Sequence, residues 1–239
     1  MNLVADIGNT SIKLALYGPE GKIATRRFDV FDEKEFGNFL CEYETQKVIV
    51  SSVRRLPEEY SEYFRKKAKF FHLLGPNSKI PFPVEYETYE TLGTDRIAAA
   101  AGAFITFPGK NCLIIDAGSA ITYDFMIDGR FKGGNISPGI NMRFRALNRF
   151  TDALPLVQKR HGFSDPGRNT TDAIAAGVIS GVIYEINEYI RTFEEKHENT
   201  VILLTGGDGE FLHDKIKNKP VYMPDLVIDG LNFILEYNV

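Results

Sequence analysis

The chain has 239 residues, 44% hydrophobic and 25% charged, an ordinary balance for a soluble globular protein of one large or two small domains. Its net charge of −4 argues against a nucleic-acid surface as the main role. Two isolated cysteines, Cys41 and Cys112, and four scattered histidines offer no metal-ligand spacing. The thiols are expected to be buried in a reducing cytosol. Asp6 interrupts the first apolar run, so no leader is expected, and the longest membrane-like run, Ile97–Phe107, is too short to span a bilayer. These features predict a cytoplasmic protein with neither a nucleic-acid nor a membrane partner.

Three antiparallel strands are predicted first, Leu3–Asp6, Ile12–Tyr17 and Ile23–Phe28, separated by the turn chemistry of Gly8-Asn9-Thr10 and Gly18–Lys22. A helix at Glu33–Tyr43, a buried strand at Lys47–Val53 and a helix at Pro57–Ala68 follow; the last opens on proline and ends in bases. After a short strand, Lys69–Leu74, the proline-rich stretch Gly75–Gly93 reads as a long loop. A loop of that length is expected to be poorly ordered unless something packs on it, which a second subunit would do.

Beyond a helix at Thr94–Phe107 the pattern restarts. Asn111–Gly139 again reads strand, turn, strand, turn, strand, followed by helices at Asn141–Arg149 and Thr170–Glu195. A buried strand runs into Thr205-Gly206-Gly207-Asp208, then come helices at Gly209–Ile216 and Pro224–Tyr237. Val4–Tyr17 and Ile114–Ile127 share one plan: a strand, Asp-x-Gly-polar, then a second strand. This repeat predicts two related α/β domains, 1–108 and 109–239.

Paired Asp-x-Gly hairpins suit phosphate binding. Glycine lets backbone N–H groups approach phosphate oxygens, and the hydroxyls of Thr10 and Ser119 add donors. Asp6 and Asp116 are acceptors suited to a cation or its water shell, and Lys13 offers a point charge. Taken singly, each motif is also an ordinary hairpin. Thr205–Asp208 suits a ligand lying across backbone at a strand-to-helix junction, or simply a turn with Asp208 capping the helix. Asp95, in the first turn of an alanine-rich helix, is expected to stay ionised under the helix N-terminus and to accept a proton from a substrate hydroxyl. Arg96 beside it could pair with an anionic group. The plain alternative is a helix-start acid next to a surface arginine.

In order along the chain stand Asp6–Thr10 as D-x-G-N-T, Ser51–Val53 as S-S-V, Gly93–Arg96 as G-x-D-R and Asp116–Ala120 as D-x-G-[TS]-A. They are followed by Gly133–Gly139 as G-G-x-I-x-P-G, Gly167–Thr170 as G-x-N-T and Thr205–Asp208 as T-G-G-D. This ordered set, spread over nearly the whole chain, resembles the type III pantothenate kinases. The resemblance implies two duplicated actin/ribonuclease-H-like α/β domains, with mixed five-stranded sheets and helices, around an ATP cleft. It implies phosphoryl transfer from Mg-ATP to the terminal hydroxyl of pantothenate, the first step of coenzyme A synthesis.

Carried over residue by residue, Asp95 would be the general base. Tyr86, Gly93, Thr94, Asp95, Arg96 and Thr170 would bind pantothenate; Thr170 is preferred to Thr171 because it completes G-x-N-T. Asp6, Ile7, Gly8, Asn9, Thr10, Ser11, Ile12 and Lys13 would form the ATP phosphate loop, with Asp6 near the Mg²⁺. Ser119, where threonine is commoner, would touch ATP. Asp116 would hold a monovalent cation, K⁺ or NH₄⁺. The resemblance also implies a homodimer with a shared pantothenate pocket. The alternatives are another small-molecule kinase or a polyphosphate hydrolase of the same fold, and a non-enzymatic accessory regulator of transcription related to this family.

Overall fold

The computed structural model describes all residues, Met1–Val239. The first half of the chain forms β1 (Asn2–Ile7), β2 (Ile12–Gly18), β3 (Gly21–Phe28), α1 (Glu33–Leu40), β4 (Lys47–Ser52), α2 (Glu58–Arg65), β5 (Phe70–Leu73) and α3 (Thr94–Thr106). The second half forms β6 (Asn111–Ala117), β7 (Ala120–Ile127), β8 (Arg130–Pro138), α4 (Ile140–Arg149) and α5 (Thr170–Lys196). It closes with β9 (Thr200–Thr205), α6 (Gly209–His213), β10 (Val221–Tyr222) and α7 (Leu226–Tyr237).

Two compact units result. One comprises Met1–Gly109, Gly129–Lys132 and Asp225–Val239; the other comprises Lys110–Asp128 and Gly133–Pro224. Their sheets have the orders β3-β2-β1-β4-β5 and β8-β7-β6-β9-β10. In each, the first strand runs antiparallel to the second and parallel to the fourth, and the fourth runs parallel to the fifth. The sheets are therefore the same mixed five-stranded plan built twice, as the repeat predicts.

In the first unit, Leu3, Ala5, Ile7, Ile12, Leu14, Leu16 and Phe28 pack with Phe36, Leu40, Tyr63 and Phe64 of α1 and α2. Strand alternation turns Asn2 the opposite way, where its amide donates to Asn232 of α7 at 2.9 Å. Helices α3 and α7 touch closely: a Cβ on Gly102 would strike the Leu226 carbonyl, and one on Gly230 the Ala98 carbonyl. This backbone approach explains why Ala98–Ala101 and Ala103 are all buried.

The long loop is held by its own unit, contrary to the expectation that it needs a partner for order. Glu85 N–H donates to the Phe131 carbonyl at 2.8 Å and Phe131 N–H to the Pro83 carbonyl at 2.9 Å. Phe82 is buried against Phe104, and Tyr89–Thr91 form one 3₁₀ turn. A second correction concerns the thiols. Cys112 is buried on β6, but Cys41 is exposed, because it follows the last core-facing residue of α1, Leu40.

In the second unit, α5 presents Ile174, Val178, Val182, Ile186, Ile190 and Phe193 at helical spacing to Leu113, Ile115 and Leu204 of the sheet. By length and composition alone α5 could cross a membrane. In this structure it is the central core helix of its unit, and its Glu185 pairs with Arg143 of α4 at 2.5 Å and accepts from Tyr123 at 2.8 Å.

Candidate active site

In the first unit, the β1–β2 hairpin turns through Gly8–Ser11, with Gly8 N–H donating to the Ser11 carbonyl at 3.0 Å. A Cβ on Gly8 would lie 3.2 Å from that oxygen, so glycine keeps the turn tight. Asn9 and Thr10 project into solvent at the tip, while Ile7 and Ile12 are fully buried. For those two isoleucines, backbone alone can serve a ligand. Asp6 stands opposite Lys13 on β2 and Ser51 on β4. Its Oδ1 is buried without a hydrogen-bond partner. Burial, and then the nearby Asp95 carboxylate, push the Asp6 carboxyl up to about 7 against the opposing pull of Lys13.

Asp95 lies in the first turn of α3, where its Oδ1 accepts from the Arg96 N–H at 2.9 Å. A side chain on the N-cap, Gly93, would collide with that oxygen. The helix start was expected to hold Asp95 firmly ionised. Burial outweighs both the backbone donor and the Arg96 charge, and the carboxyl is raised instead. Desolvation at this depth exceeds what the helix N-terminal dipole returns.

The start of α3 is pinned by the S-S-V segment. The hydroxyls of Thr94 and the fully buried Ser51 share a hydrogen bond at 2.9 Å, and Thr94 also donates to the Ser52 carbonyl at 3.3 Å. Arg96 is not a surface residue; it is 5% exposed, with its guanidinium 5.6 Å from the Tyr86 ring centre and 5.8 Å from that of Phe131. Tyr86, Gly93, Thr94, Asp95, Arg96 and Asp6 are thus brought together. Lys13 has a partner from the far end of the sequence: it ion-pairs with Asp225 at the N-cap of α7, which also takes Lys22 at 2.6 Å.

In the second unit, three motifs converge where β6 and β9 end. Asp116 pairs in register with Thr122 and Thr205. Gly206 has φ +90°, and a side chain there would strike the Ala117 carbonyl and Asp116 Oδ1. Asp208 N–H donates to the Ala117 carbonyl at 2.8 Å. Gly139 N–H donates to the Ser119 carbonyl at 3.2 Å, with no room for a Cβ against Gly118 and Ser119. Asp116, Ser119, Gly139 and Thr205–Asp208 therefore form one backbone-lined locality at strand ends, a usual place for ligands in α/β folds. The Asp208 side chain does not cap α6; it ion-pairs with Lys159.

Thr170 is the first residue of α5. It is exposed, beside Asn169, whose side chain caps the helix by accepting from Asp172 N–H at 2.9 Å. It lines an open cavity of about 530 Å³ with Leu147, Leu154, Gly167 and Ile174. Sequence reasoning missed Lys159 and Arg160. Lys159 holds Asp208 and Arg160 holds Asp172, so one dipeptide ties T-G-G-D to G-x-N-T. Adjacent bases in a loop carry no periodic signal that would have singled them out.

Duplicated units of this plan, each with an Asp-x-Gly hairpin at its strand ends, define a two-unit, actin-like α/β fold. The activator of 2-hydroxyisocaproyl-CoA dehydratase from Clostridium difficile, solved with bound ADPNP, shares the fold: TM-score 0.57, 15% identity, covering 99% of this chain and 93% of that one. A Campylobacter jejuni structure described as a candidate Baf family transcriptional activator gives a TM-score of 0.64 at 25% identity, over 99% and 98% of the two chains. The family model for type III pantothenate kinase matches residues 2–192. A type III pantothenate kinase from Bacteroides fragilis (strain YCH46) is 41% identical, covering 100% of this chain and 98% of its own. One from Azobacteroides pseudotrichonymphae is 39% identical, over 99% and 97%. The chain belongs to the type III pantothenate kinase family. Its reaction is the ATP-dependent phosphorylation of pantothenate that opens coenzyme A synthesis.

Proposed function

We propose that Asp95 is the general base of this transfer. It takes the proton of the terminal pantothenate hydroxyl as that oxygen bonds to the γ-phosphorus of ATP and the bond to the β-phosphate oxygen breaks, releasing ADP. The observation that carries this reading is the buried carboxylate pair, Asp95 and Asp6, with both carboxyls raised. A raised carboxyl is a stronger base than a surface aspartate. Gly93–Arg96 and Tyr86 hold pantothenate, with Arg96 facing its carboxylate. The hairpin Asp6–Lys13 receives the phosphates, largely through backbone N–H groups.

Asp6 fits the divalent cation that accompanies ATP, since its buried Oδ1 has no hydrogen-bond partner and burial opposes its bare charge. Mg²⁺, when bound, neutralises phosphate charge. In the second unit, Asp116 holds K⁺ or NH₄⁺ where Gly206 keeps backbone close to its carboxylate, Ser119 touches ATP, and Thr205–Asp208 meet the adenosine. The enzyme works in the cytoplasm as a homodimer, and Thr170 completes the pantothenate pocket of the partner. Exposed Met142, Phe150, Leu156 and Tyr184 give the second unit apolar surface for a second copy.

The name of the Campylobacter jejuni structure favours a second reading, an accessory regulator of transcription. A coupled assay of ADP release separates the two. The kinase reading requires release that depends on pantothenate and rises when K⁺ or NH₄⁺ replaces Na⁺. ATP turnover indifferent to pantothenate would favour the regulator.

A further inference from the structure

We propose that Arg27 is a further contact for the polyphosphate of ATP, an assignment that rests on the Gly8–Lys13 hairpin being the phosphate loop. Four residues stand side by side across four strands: Ser51 on β4, Asp6 on β1, Lys13 on β2 and Arg27 on β3. Directly paired residues share one face of a sheet. The row therefore lies on a single face, at the end where the hairpin turns.

The charges along this row do not balance in favour of an anion. Asp6 and Asp95 are carboxylates, and Lys13 is tied to Asp225. A polyphosphate arriving at the hairpin would meet two acids and a base that already has a counter-ion. Arg27 supplies the missing cation. It is exposed and has no carboxylate partner; its Nε–H donates to Ser11 Oγ, within the hairpin itself, at 2.9 Å. That bond aims the guanidinium at the loop and leaves both of its Nη groups open, the planar fork that fits two phosphate oxygens at once. Its neighbour Arg26 has other work, lying 5.0 Å over the Phe28 ring. A clamp on Ser11 alone would need no charge.

Arg27→Gln keeps a polar donor for Ser11 and removes the charge, and Arg27→Lys keeps the charge without the fork. Calorimetric titration with β,γ-imido-ATP, ADP and AMP reads the consequence, with thermal melting as the check on folding. Arg27→Gln should weaken β,γ-imido-ATP by roughly ten- to a hundredfold, the worth of a charge-assisted hydrogen bond, and leave AMP binding and melting unchanged. Arg27→Lys should recover part of the loss. Parental β,γ-imido-ATP affinity in Arg27→Gln, or an equal loss for ATP analogue and AMP, overturns the proposal. Gly8→Val, which crowds the turn, is measured alongside. If Gly8→Val loses affinity while Arg27→Gln does not, the hairpin reading stands and the Arg27 assignment falls; if neither loses affinity, both fall.

Discussion

Asp6→Asn should stabilise the ligand-free protein at neutral and alkaline pH while it weakens nucleotide binding. The folded carboxyl titrates near about 7 against an ordinary 3.8. Between those values the folded chain binds the extra proton, so stability is highest at acid pH and is lost as the pH rises toward 7. At 1.36 kcal/mol per tenfold, the charged form costs at most about 4 kcal/mol once titration is complete. The amide inherits the unpartnered position of Oδ1, at a cost of about 1–3 kcal/mol. The variant should therefore be more stable by about 1–3 kcal/mol above neutrality, and the gain should reverse on acidification, leaving the variant less stable than the parent by about 1–3 kcal/mol near pH 4. For a chain of this size each kcal/mol moves the melting temperature by roughly 2–4 °C. Calorimetric melting without nucleotide or Mg²⁺, across this pH range, checks it. A variant that melts below the parent at alkaline pH, or a difference that does not change with pH, would refute the reasoning.

Ser51→Ala removes the buried partner of Thr94 and should cost about 1 kcal/mol in stability while lowering kcat more than it raises KM for ATP; an unchanged kcat would separate this hydrogen bond from catalysis. Gly206→Ala forces a side chain at φ +90° onto the Ala117 carbonyl, and a destabilisation of about 1–3 kcal/mol is expected by chemical denaturation, together with loss of monovalent-cation activation. Asp116→Ala should abolish any advantage of K⁺ and NH₄⁺ over Na⁺ in steady-state rates. A cation preference that survives the substitution would place that site elsewhere.

Much of this fold is legible in the sequence because the signals are local. Alternation in Asn2–Ile7 and Ile12–Gly18, and its restart at Asn111, announce both sheets, and the two Asp-x-Gly turns mark corresponding places in them. What escapes depends on distant or very short partners. Strand β10 is two residues long, too short for any period, and is defined by its pairing with Leu203 and Leu204. The packing of α7 on α3 rests on Gly102 and Gly230, whose purpose appears only when the helices are side by side. The Lys13–Asp225 pair spans almost the whole chain, so no spacing rule reveals it. For Asp95 the motif was visible but its electrostatics were not: the helix start is written in the sequence, whereas the burial that outweighs it comes from the folded surroundings.

The most direct test of the central claim is a single-turnover measurement of phosphoryl transfer to pantothenate by Asp95→Asn. Nucleotide affinity and melting are recorded on the same preparation. The amide keeps the size and polarity of the carboxylate and cannot take the hydroxyl proton. The predicted result is a chemical step slowed by roughly 10²- to 10⁴-fold, with ATP still bound and the fold intact. A folded Asp95→Asn protein that transfers phosphate at close to the parental rate would contradict the account.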